Sequence, residues 1–403
     1  MAEKLYWCWL QQAMHCGARV EEALAAFGSP RAVYEASEYE RRISGAFTVR
    51  QIEHLGAETL QRAEEILRTC DRYGITVLTP DDAQYPQLLR QLAAYPCVLY
   101  VRGDVDALCE PCPIAVVGAR QASDYAVQAT RGLAYTLAKA GMTVVSGGAL
   151  GIDSAAHRAA IEAGGRTVCY MGCGFGVKYL MENSGLRREI SEHGALVSEF
   201  PPGTPAGKAT FPIRNRLISG SSLGTLVVEA GVKSGSLITA KGAREMGRDV
   251  FAVPGNILTS TFEGANQLIR DGAKPVFSAR DILEEYSARM PGKIDMSVAD
   301  VPLSQAVKSH QQPEGQPETD AVRLPQGGGC AAAIKREIKE LPAGAAPELR
   351  QVLAAVSGAP LRADEIAERT GIPMRNLLRV LTQLEVMGYI VQQQGKRYLA
   401  AQE

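Results

Sequence analysis

Residues 208–216 include the residue types that hold a polyanion. Lys208, Arg214 and Arg216 surround Phe211 in the sequence KATFPIRNR, where a loop enters a helical pattern. Sites for single-stranded nucleic acid typically combine cations, which contact the phosphates, with an aromatic ring, which stacks on a base. The pattern predicts an electropositive stacking surface, and an ion-paired loop with Phe211 in the core is the structural alternative.

The charges of the chain locate that surface. The 403 residues include 43 Lys and Arg against 44 Asp and Glu, so a net charge of −1 gives no global attraction to nucleic acid or anionic lipid. Residues 202–248, however, hold seven basic and two acidic residues. A polyanion site must therefore be local, and the basic residues of this window are Lys208, Arg214, Arg216, Lys233, Lys241, Arg244 and Arg248.

Two glycine turns could hold phosphate with backbone amides. One is VVGAR, ending at Arg120, with Ser123 able to cap the next helix; the other is SGGALGID, which begins at Ser146 and includes Gly147 and Gly148. Each follows an apolar run and opens a helical pattern, where amides and the helix dipole favour anions. Neither forms GxGxxG and the chain has no GxxxxGK[ST], so dinucleotide and P-loop chemistry lose their sequence support. We expect one shared anion groove, with tight turns alone as the alternative.

Other chemistry has little support in the sequence. The nine cysteines are an odd number scattered through apparent strands and loops, and Cys109 and Cys112 lack a second pair that would complete a zinc site. His157 lies one helical turn after Asp153, a spacing that favours a local hydrogen bond over a catalytic dyad. We therefore predict no catalytic residues, no metal and no cofactor. Glu229, after the turn GSSLGT, is the residue that could serve a nucleotide hydrolase.

The elements that must position these residues alternate between strands and helices. Apolar, β-branched runs separated by amphipathic segments predict a parallel sheet covered on both faces. The sequence thus indicates an α/β protein with an extended Rossmann-like domain over 73–290. The expected strands are 114–117, 143–146, 167–171, 195–199, 225–228, 250–253 and 275–277, with helices at 125–140 and 237–246 among the connections.

Two further modules flank this domain. Residues 1–72 predict a small helical domain with Trp7 and Trp9 in its core, of the type that helix-hairpin-helix modules form; a structural role and nucleic acid contact both remain open. Residues 291–346, rich in proline and glycine, predict a flexible linker, with one short helix at 331–340. Residues 347–403 predict a winged helix with helices at 348–356, 362–370 and 373–387 and an extended pair at 389–393 and 396–399 that turns at 394–395.

No apolar stretch is long enough to cross a membrane, and the N-terminus leads directly into a helical pattern. We expect a cytoplasmic protein without membrane association.

These motifs together resemble the DNA-processing protein A family, DprA or Smf. The resemblance rests on the order and spacing of VGAR, SGGALGID, FPIRNR, EA, SGSLITA and VPG between residues 117 and 255. It implies a protein that binds single-stranded DNA, forms a homodimer and loads RecA onto DNA covered by single-strand binding protein during natural transformation. The family is not known for enzymatic activity.

The resemblance also implies roles for individual residues. Phosphate would be held by Arg120 and by the turn of Ser146, Gly147 and Gly148. Lys208, Arg214 and Arg216 would line the same groove, Phe211 would stack on a base and Asn215 would hydrogen-bond beside it, with Lys241 as a further candidate. Ala119 departs from the family, in which many members have serine.

Two other functions stay open at this point. A nucleotide-modifying enzyme of the LOG-like phosphoribohydrolase type is suggested by Gly224, Thr225 and Glu229, although the arginine of a full PGGxGTxxE motif is missing. A nucleotide-sensing regulator that reads duplex DNA with its winged helix is the other. For the winged helix itself, with seven basic and six acidic residues over 346–403, protein contact and weak duplex binding are equally compatible.

Overall fold

The computed structural model describes residues 2–303, 346–356, 361–387, 389–393 and 397–400. Its contacts divide the chain into two compact units, Met1–Gln316 and Pro317–Glu403. Most of the predicted linker, the expected helix at 331–340 and the expected turn at 394–395 lie outside the described residues.

The first unit is built on a mostly parallel sheet. In the described residues this sheet has nine strands in the order β1-β2-β6-β5-β4-β3-β7-β8-β9. The strands are β1 Thr76–Leu78, β2 Leu99–Gly103, β3 Pro113–Val117, β4 Thr143–Ser146, β5 Thr167–Tyr170, β6 Gly194–Ser198, β7 Gly224–Val227, β8 Asp249–Ala252 and β9 Lys274–Pro275. Strands β3 to β9 pair in parallel with one another, which confirms the predicted α/β architecture. Six of the predicted strands correspond to β3–β8, whereas the predicted strand 275–277 overlaps β9 only at Pro275.

Helices cover both faces of this sheet. The connections contain α7 Gln87–Arg90, α8 Asp124–Lys139, α9 Ile152–Glu162, α10 Ser184–His193, α11 Thr210–Gly220, α12 Gly235–Glu245, α13 Glu263–Arg270 and α14 Arg280–Ser287. Side chains alternate between faces along each strand. Ile114 and Val116 therefore pack in one core with α8 and α9, whereas Ala115 and Val117 pack in another with α11 and α12.

The order of connections leaves a crevice at one edge of the sheet. The chain runs from β3 through β4 and β5 to β6 in one direction, and then returns to place β7 on the other side of β3. The loops that follow β3 and β7 consequently diverge at the carboxyl edge, which is where open α/β sheets bind ligands. The predicted site residues follow these strands.

Strands β1 and β2 extend the sheet in a way that the sequence did not reveal. They pair antiparallel with each other, and β2 pairs antiparallel with β6. At the other end of the unit, Asp295 donates its backbone N–H to the Ala140 carbonyl and Leu303 packs against Gly132 of α8. Packing on the α/β core thus continues past the predicted boundary at residue 290.

The N-terminal helices form part of the same unit. They are α1 Ala2–Met14, α2 Glu21–Phe27, α3 Pro30–Glu35, α4 Glu38–Ile43, α5 Val49–Ala57 and α6 Leu60–Arg72. As predicted, Ser29 caps α3 ahead of Pro30, and Trp7 and Trp9 are buried. Their apolar core, however, also includes Tyr100 and Leu196 of the sheet, so these helices do not enclose a core of their own.

The second unit has the predicted winged-helix elements. Helices α15 Pro347–Ala355, α16 Ala363–Thr370 and α17 Met374–Val386 enclose a separate apolar core beside a small sheet of β10 Leu361–Arg362, β11 Ile390–Gln393 and β12 Arg397–Ala400. The sheet order is β10-β12-β11, with antiparallel pairing. Across the described parts of both units, no helix has the length and apolar character of a membrane span.

Candidate nucleic-acid interface

A groove at the carboxyl edge of the sheet brings together half of the predicted site residues. This pocket of about 440 Å³ lies between the loop after β3, the start of α9, the helix α11 and the start of α12. Arg120, Lys208, Phe211, Arg214 and Asn215 all line it. Residues that are up to 95 positions apart in sequence therefore meet at one surface, as the charge pattern predicts.

Arg120 and Phe211 form the exposed centre of the groove. The Arg120 guanidinium carbon lies 5.2 Å from the centre of the Phe211 ring, within cation–π distance, and Arg120 is exposed. The ring packs over Gly172, where a Cβ atom would lie only 2.7 Å from a ring carbon. Glycine at 172 therefore allows the half-buried ring to lie flat against the backbone after β5.

The loop that carries Arg120 is fixed from two sides. The Ile152 amide at the start of α9 donates to the Ala119 carbonyl at 3.2 Å. On the other side, the Ser123 amide and hydroxyl donate to Oε2 of Glu229 at 2.8 and 3.0 Å, and Ser123 also caps α8 as predicted. Glu229 is buried, so its carboxylate acts here as a tether for the Arg120 loop.

Lys208 and Asn215 complete the accessible polar surface. Lys208 is exposed just before α11, and Asn215 is half-buried one turn after Phe211. The Asn215 side-chain oxygen accepts from Nε of Arg214 at 3.1 Å, which orients the amide. Ser234, Ser236 and Thr239 at the start of α12 also line the groove, and sequence reasoning assigned them no role.

Arg214 lines the groove from beneath and is almost fully buried. Only 5% of the residue is exposed, and its Nη1 donates to the carbonyls of Gly147 and Tyr170 at 2.6 and 2.5 Å. These bonds join the ends of β4 and β5. Arg214 therefore forms the floor of the groove and supports Phe211, whose ring centre is 5.9 Å from its guanidinium carbon.

The predicted phosphate cradle at Ser146, Gly147 and Gly148 already has an internal anion. The Asp153 carboxylate accepts from the Ala149 amide at 3.3 Å and lies within hydrogen-bonding reach of the Gly147 amide and the Ser146 side chain. Burial raises the pKa of Asp153, and Arg214 and these donors oppose the rise. The turn is thus organised around Asp153, and the phosphate contacts expected of Ser146, Gly147 and Gly148 remain a prediction.

The glycines of this turn serve close packing. A Cβ on Gly147 would lie 2.5 Å from the Arg214 guanidinium, and one on Gly148 would lie 2.7 Å from the Cys169 sulfur. Gly148 also has a φ of +65°. Glycine is therefore required at 147 by the buried arginine, and at 148 by the Cys169 sulfur and the positive φ.

His157 belongs to the core, and its hydrogen-bond partner is Thr167 and not Asp153. Its Nδ1 pairs with the Thr167 hydroxyl at 2.7 Å, and that hydroxyl donates to the Val144 carbonyl. Burial, aided by the nearby Arg214 charge, lowers the pKa of His157 to about 3. The ring is therefore neutral at physiological pH.

Arg216 and Lys241 do not line the groove. Nη2 of Arg216 makes a two-pronged ion pair with Glu199 at 2.5 and 2.6 Å, and its Nη1 donates to the Ala94 carbonyl. The same Glu199 accepts from the Gly17 amide, so Arg216 connects α11 to the N-terminal helices. Lys241 is exposed on α12 and pairs with Glu245 at 3.7 Å.

The geometry weakens the case for a phosphoribohydrolase. Gly224 and Thr225 lie in the first half of β7, and Glu229 lies beyond its far end, so they do not form a phosphate loop that opens into a helix. Thr225 is fully buried. Within the described residues, no group of three or more His, Cys, Asp or Glu side chains could hold a metal ion.

The fold and groove define a class: an extended Rossmann-like α/β protein with a cation-rich crevice, followed by a winged helix. The family model for DNA recombination-mediator protein A matches residues 76–287, and the DprA winged helix domain model matches residues 338–396. The chain belongs to the DNA recombination-mediator protein A family.

Known relatives agree with this assignment. The protein Smf of Synechocystis is 34% identical over 325 residues, which cover 80% of this chain and 79% of the relative. The DNA processing protein DprA of Bacillus subtilis is 41% identical over 224 residues, or 56% and 75% of the two chains. The X-ray structure of DprA from Streptococcus pneumoniae superposes with a TM-score of 0.61 at 31% identity, covering 71% of this chain and 98% of that one.

Proposed function

We propose that this protein binds single-stranded DNA in the cytoplasm through the groove and delivers it to RecA as a recombination mediator in natural transformation. One observation carries the proposal: exposed Arg120 and Lys208 line the same pocket as Phe211, and the Arg120 guanidinium lies over that ring at cation–π distance. Cations beside a stacking ring suit an unpaired polynucleotide of any sequence.

The binding residues have distinct parts in this mechanism. Arg120 and Lys208 contact successive phosphates, Phe211 stacks on a base and Asn215 offers a hydrogen bond beside it. Arg214 and Asp153 hold the floor under them. These groups bind and orient a strand without making or breaking a bond, so we infer a binding protein and not an enzyme.

The direct test compares strands and variants by fluorescence anisotropy. A labelled oligo-dT should bind more tightly than a duplex of equal length, and its affinity should fall as salt rises from about 50 to 200 mM because counterions are released from the DNA. The Arg120→Ala, Lys208→Ala double variant should flatten the slope of log K against log salt by about 1.4, since two phosphate contacts are lost at about 0.7 each.

A matched control removes two exposed cations elsewhere in the same unit. Lys139, the last residue of α8, and Arg158 of α9 are exposed and do not line the groove. The Lys139→Ala, Arg158→Ala variant should keep both the affinity and the salt slope. Equal behaviour of the two double variants, or wild-type binding that is indifferent to salt, would refute the groove as the DNA site.

The proposed partners need their own experiment. We expect a homodimer in sedimentation analysis, and we expect the wild-type protein to speed RecA filament formation on DNA coated with single-strand binding protein. The Arg120→Ala, Lys208→Ala variant should lose that stimulation and remain a dimer. A variant that cannot bind DNA but still stimulates RecA would exclude delivery through the groove.

A further inference from the structure

A second cavity adjoins the groove. It has a volume of about 500 Å³ and shares Ala149, Phe211 and Arg214 with the groove as walls. It extends along residues 171–181, which follow β5, to the start and outer side of α10. We call this cavity the chamber. Its size falls in the range of pockets that enclose small organic ligands.

The chamber is strongly electropositive. Among the described residues that line it, five are cations and none is a carboxylate: Arg102, Lys178, Arg187, Arg188 and Arg214. Because the whole chain has a net charge of −1, this lining is a local concentration of one sign. Such a concentration in a concave wall favours an anionic ligand.

These cations divide into two groups by their contacts. Arg187 donates from Nη2 to the Tyr179 carbonyl at 2.9 Å, Arg214 holds the strand ends, and the Arg102 guanidinium lies 5.0 Å from the centre of the Phe175 ring. These three residues support the chamber wall. Lys178 and Arg188 are exposed at its rim, and the ion pairs found among the described residues do not include them.

The interior of the chamber is apolar and aromatic. Phe175 and Leu196 are buried, and Met171 and Tyr179 are half-buried. The Tyr179 ring lies 5.7 Å from Phe211, tilted by 45°, so the chamber and the groove share a continuous aromatic wall. Burial raises the pKa of Tyr179, which keeps its phenol neutral. A planar base is the kind of group that such a wall accepts.

We propose that the chamber binds one nucleotide unit, with its base against Met171, Phe175 and Tyr179 and its phosphate between Lys178 and Arg188. The nucleotide comes from the strand in the adjoining groove, so the inference rests on the proposed function. A free nucleoside monophosphate has the same chemistry and is the other source that an experiment must separate.

The first test fills the chamber. Met171→Trp adds bulk to its wall, and anisotropy then compares labelled oligo-dT with an oligomer of abasic sites, which keeps the phosphates but has no bases. We expect affinity for oligo-dT to fall about 10-fold, within the range for loss of one stacked base, and affinity for the abasic oligomer to stay unchanged. That unchanged affinity also shows that the variant is folded.

The second test removes the rim cations. Lys178→Ala with Arg188→Ala should weaken both oligomers and flatten the salt slope by up to about 1.4, whereas the Lys139→Ala, Arg158→Ala control should not. A nucleotide of the bound strand is excluded from the chamber if Met171→Trp binds oligo-dT as the wild type does, or if it weakens both oligomers equally.

Calorimetric titration with thymidine monophosphate shows whether the nucleotide in the chamber is free or belongs to the bound strand. Binding of this nucleotide that Met171→Trp abolishes, with oligo-dT affinity unchanged, supports the chamber as a site for a free nucleotide and overturns the strand as its source. If the wild-type protein binds the nucleotide but not oligo-dT, the proposed function fails and the chamber stands. Failure to bind either ligand refutes both.

Discussion

Lys208, Arg214 and Arg216 lie in one short segment but have three different environments. Lys208 is exposed at the groove, Arg214 is buried under it, and Arg216 pairs with Glu199 at the N-terminal helices. A helix turns by about 100° per residue, so two positions along α11 are enough to move a side chain from one face to the other. The accessible charge of the groove is therefore smaller than the sequence suggests.

At the scale of single residues, we expect Phe211→Ala to weaken oligo-dT binding by about 1–3 kcal/mol, because one stacking contact is lost. The salt slope should stay the same, since the substitution removes no charge. Anisotropy titrations at several salt concentrations measure both quantities. Tyr39→Ala, which removes an aromatic ring that is 71% exposed on α4, is the control and should change neither.

Arg216→Ala should reduce stability and leave DNA affinity intact when measured well below the melting temperature. The change leaves Glu199, which is 2% exposed, without its ionic partner, at a cost of about 3–5 kcal/mol. Arg42→Ala, which breaks an exposed pair with Glu38, should cost about 0.5 kcal/mol or less. Chemical denaturation at neutral pH distinguishes the two variants.

The loss in Arg216→Ala should also depend on pH. Burial raises the pKa of Glu199 and Arg216 opposes the rise, so removal of Arg216 lets this pKa climb further above its unfolded value. A carboxyl group with a raised pKa in the folded state destabilises the protein increasingly as pH rises from the unfolded pKa to the folded pKa, and the penalty is constant above that range. The deficit should therefore be smaller near about pH 5 than at neutral pH; a constant deficit would contradict this account.

The sequence predicts the cations of the site but not their partners. Glu199 is separated from Arg216 by a loop, and Asp153 is brought to Arg214 only by the meeting of β4, β5 and α11. Charge counting cannot reveal such pairs, because each depends on the finished fold. Glu229 shows the same limit: its place after an apolar strand suggested chemistry, and the structure shows a tether to Ser123.

At the scale of elements, the strands of the parallel sheet could be predicted because they are buried on both faces and read as continuous apolar runs. All five residues of β3 are buried, for example. Strands β1 and β2 lacked that signal: β1 has three residues, and β2 ends in the exposed Arg102 and Gly103. Short antiparallel strands of this kind depend on pairing partners that no local pattern specifies.

The contact between the loop after β3 and the start of α9 leads to a prediction on glycines. Gly151 has φ +77° and ψ −125°, and a Cβ there would lie 2.3 Å from the Ala119 carbonyl oxygen. We expect Gly151→Ala to displace the Arg120 loop, so that both stability and DNA affinity fall. Thermal melting and anisotropy measure the two effects.

Gly164 provides a matched control for that variant. Its φ is +70°, yet a Cβ would meet no atom within 4 Å. Gly164→Ala should therefore cost only the backbone strain, about 1–2 kcal/mol, and DNA affinity should be unchanged. If both alanine variants bind oligo-dT equally well, the loop contact does not position Arg120.

At the scale of the whole molecule, the groove and its supports lie within the first unit. The cores that hold the sheet are made of residues before 304, and the winged helix has a separate core. We expect a protein of residues 1–316 to fold and to bind oligo-dT within about 2-fold of the full chain, because every proposed phosphate contact is retained. A large loss of affinity would assign part of the DNA site to the second unit.

The N-terminal helices cannot be treated in the same way. Gln11 of α1 donates to the carbonyls of Val98 and Glu199 and accepts from the Tyr100 hydroxyl, and the surrounding apolar side chains of α1, α5 and α6 pack on the same edge of the sheet. A protein shortened to begin at residue 73 would expose the apolar side chains of that edge to water, and Glu199 would lose the Gly17 amide while it kept Arg216. Aggregation of such a fragment would show that the helices are needed to cover the core, and it would not show whether they contact DNA.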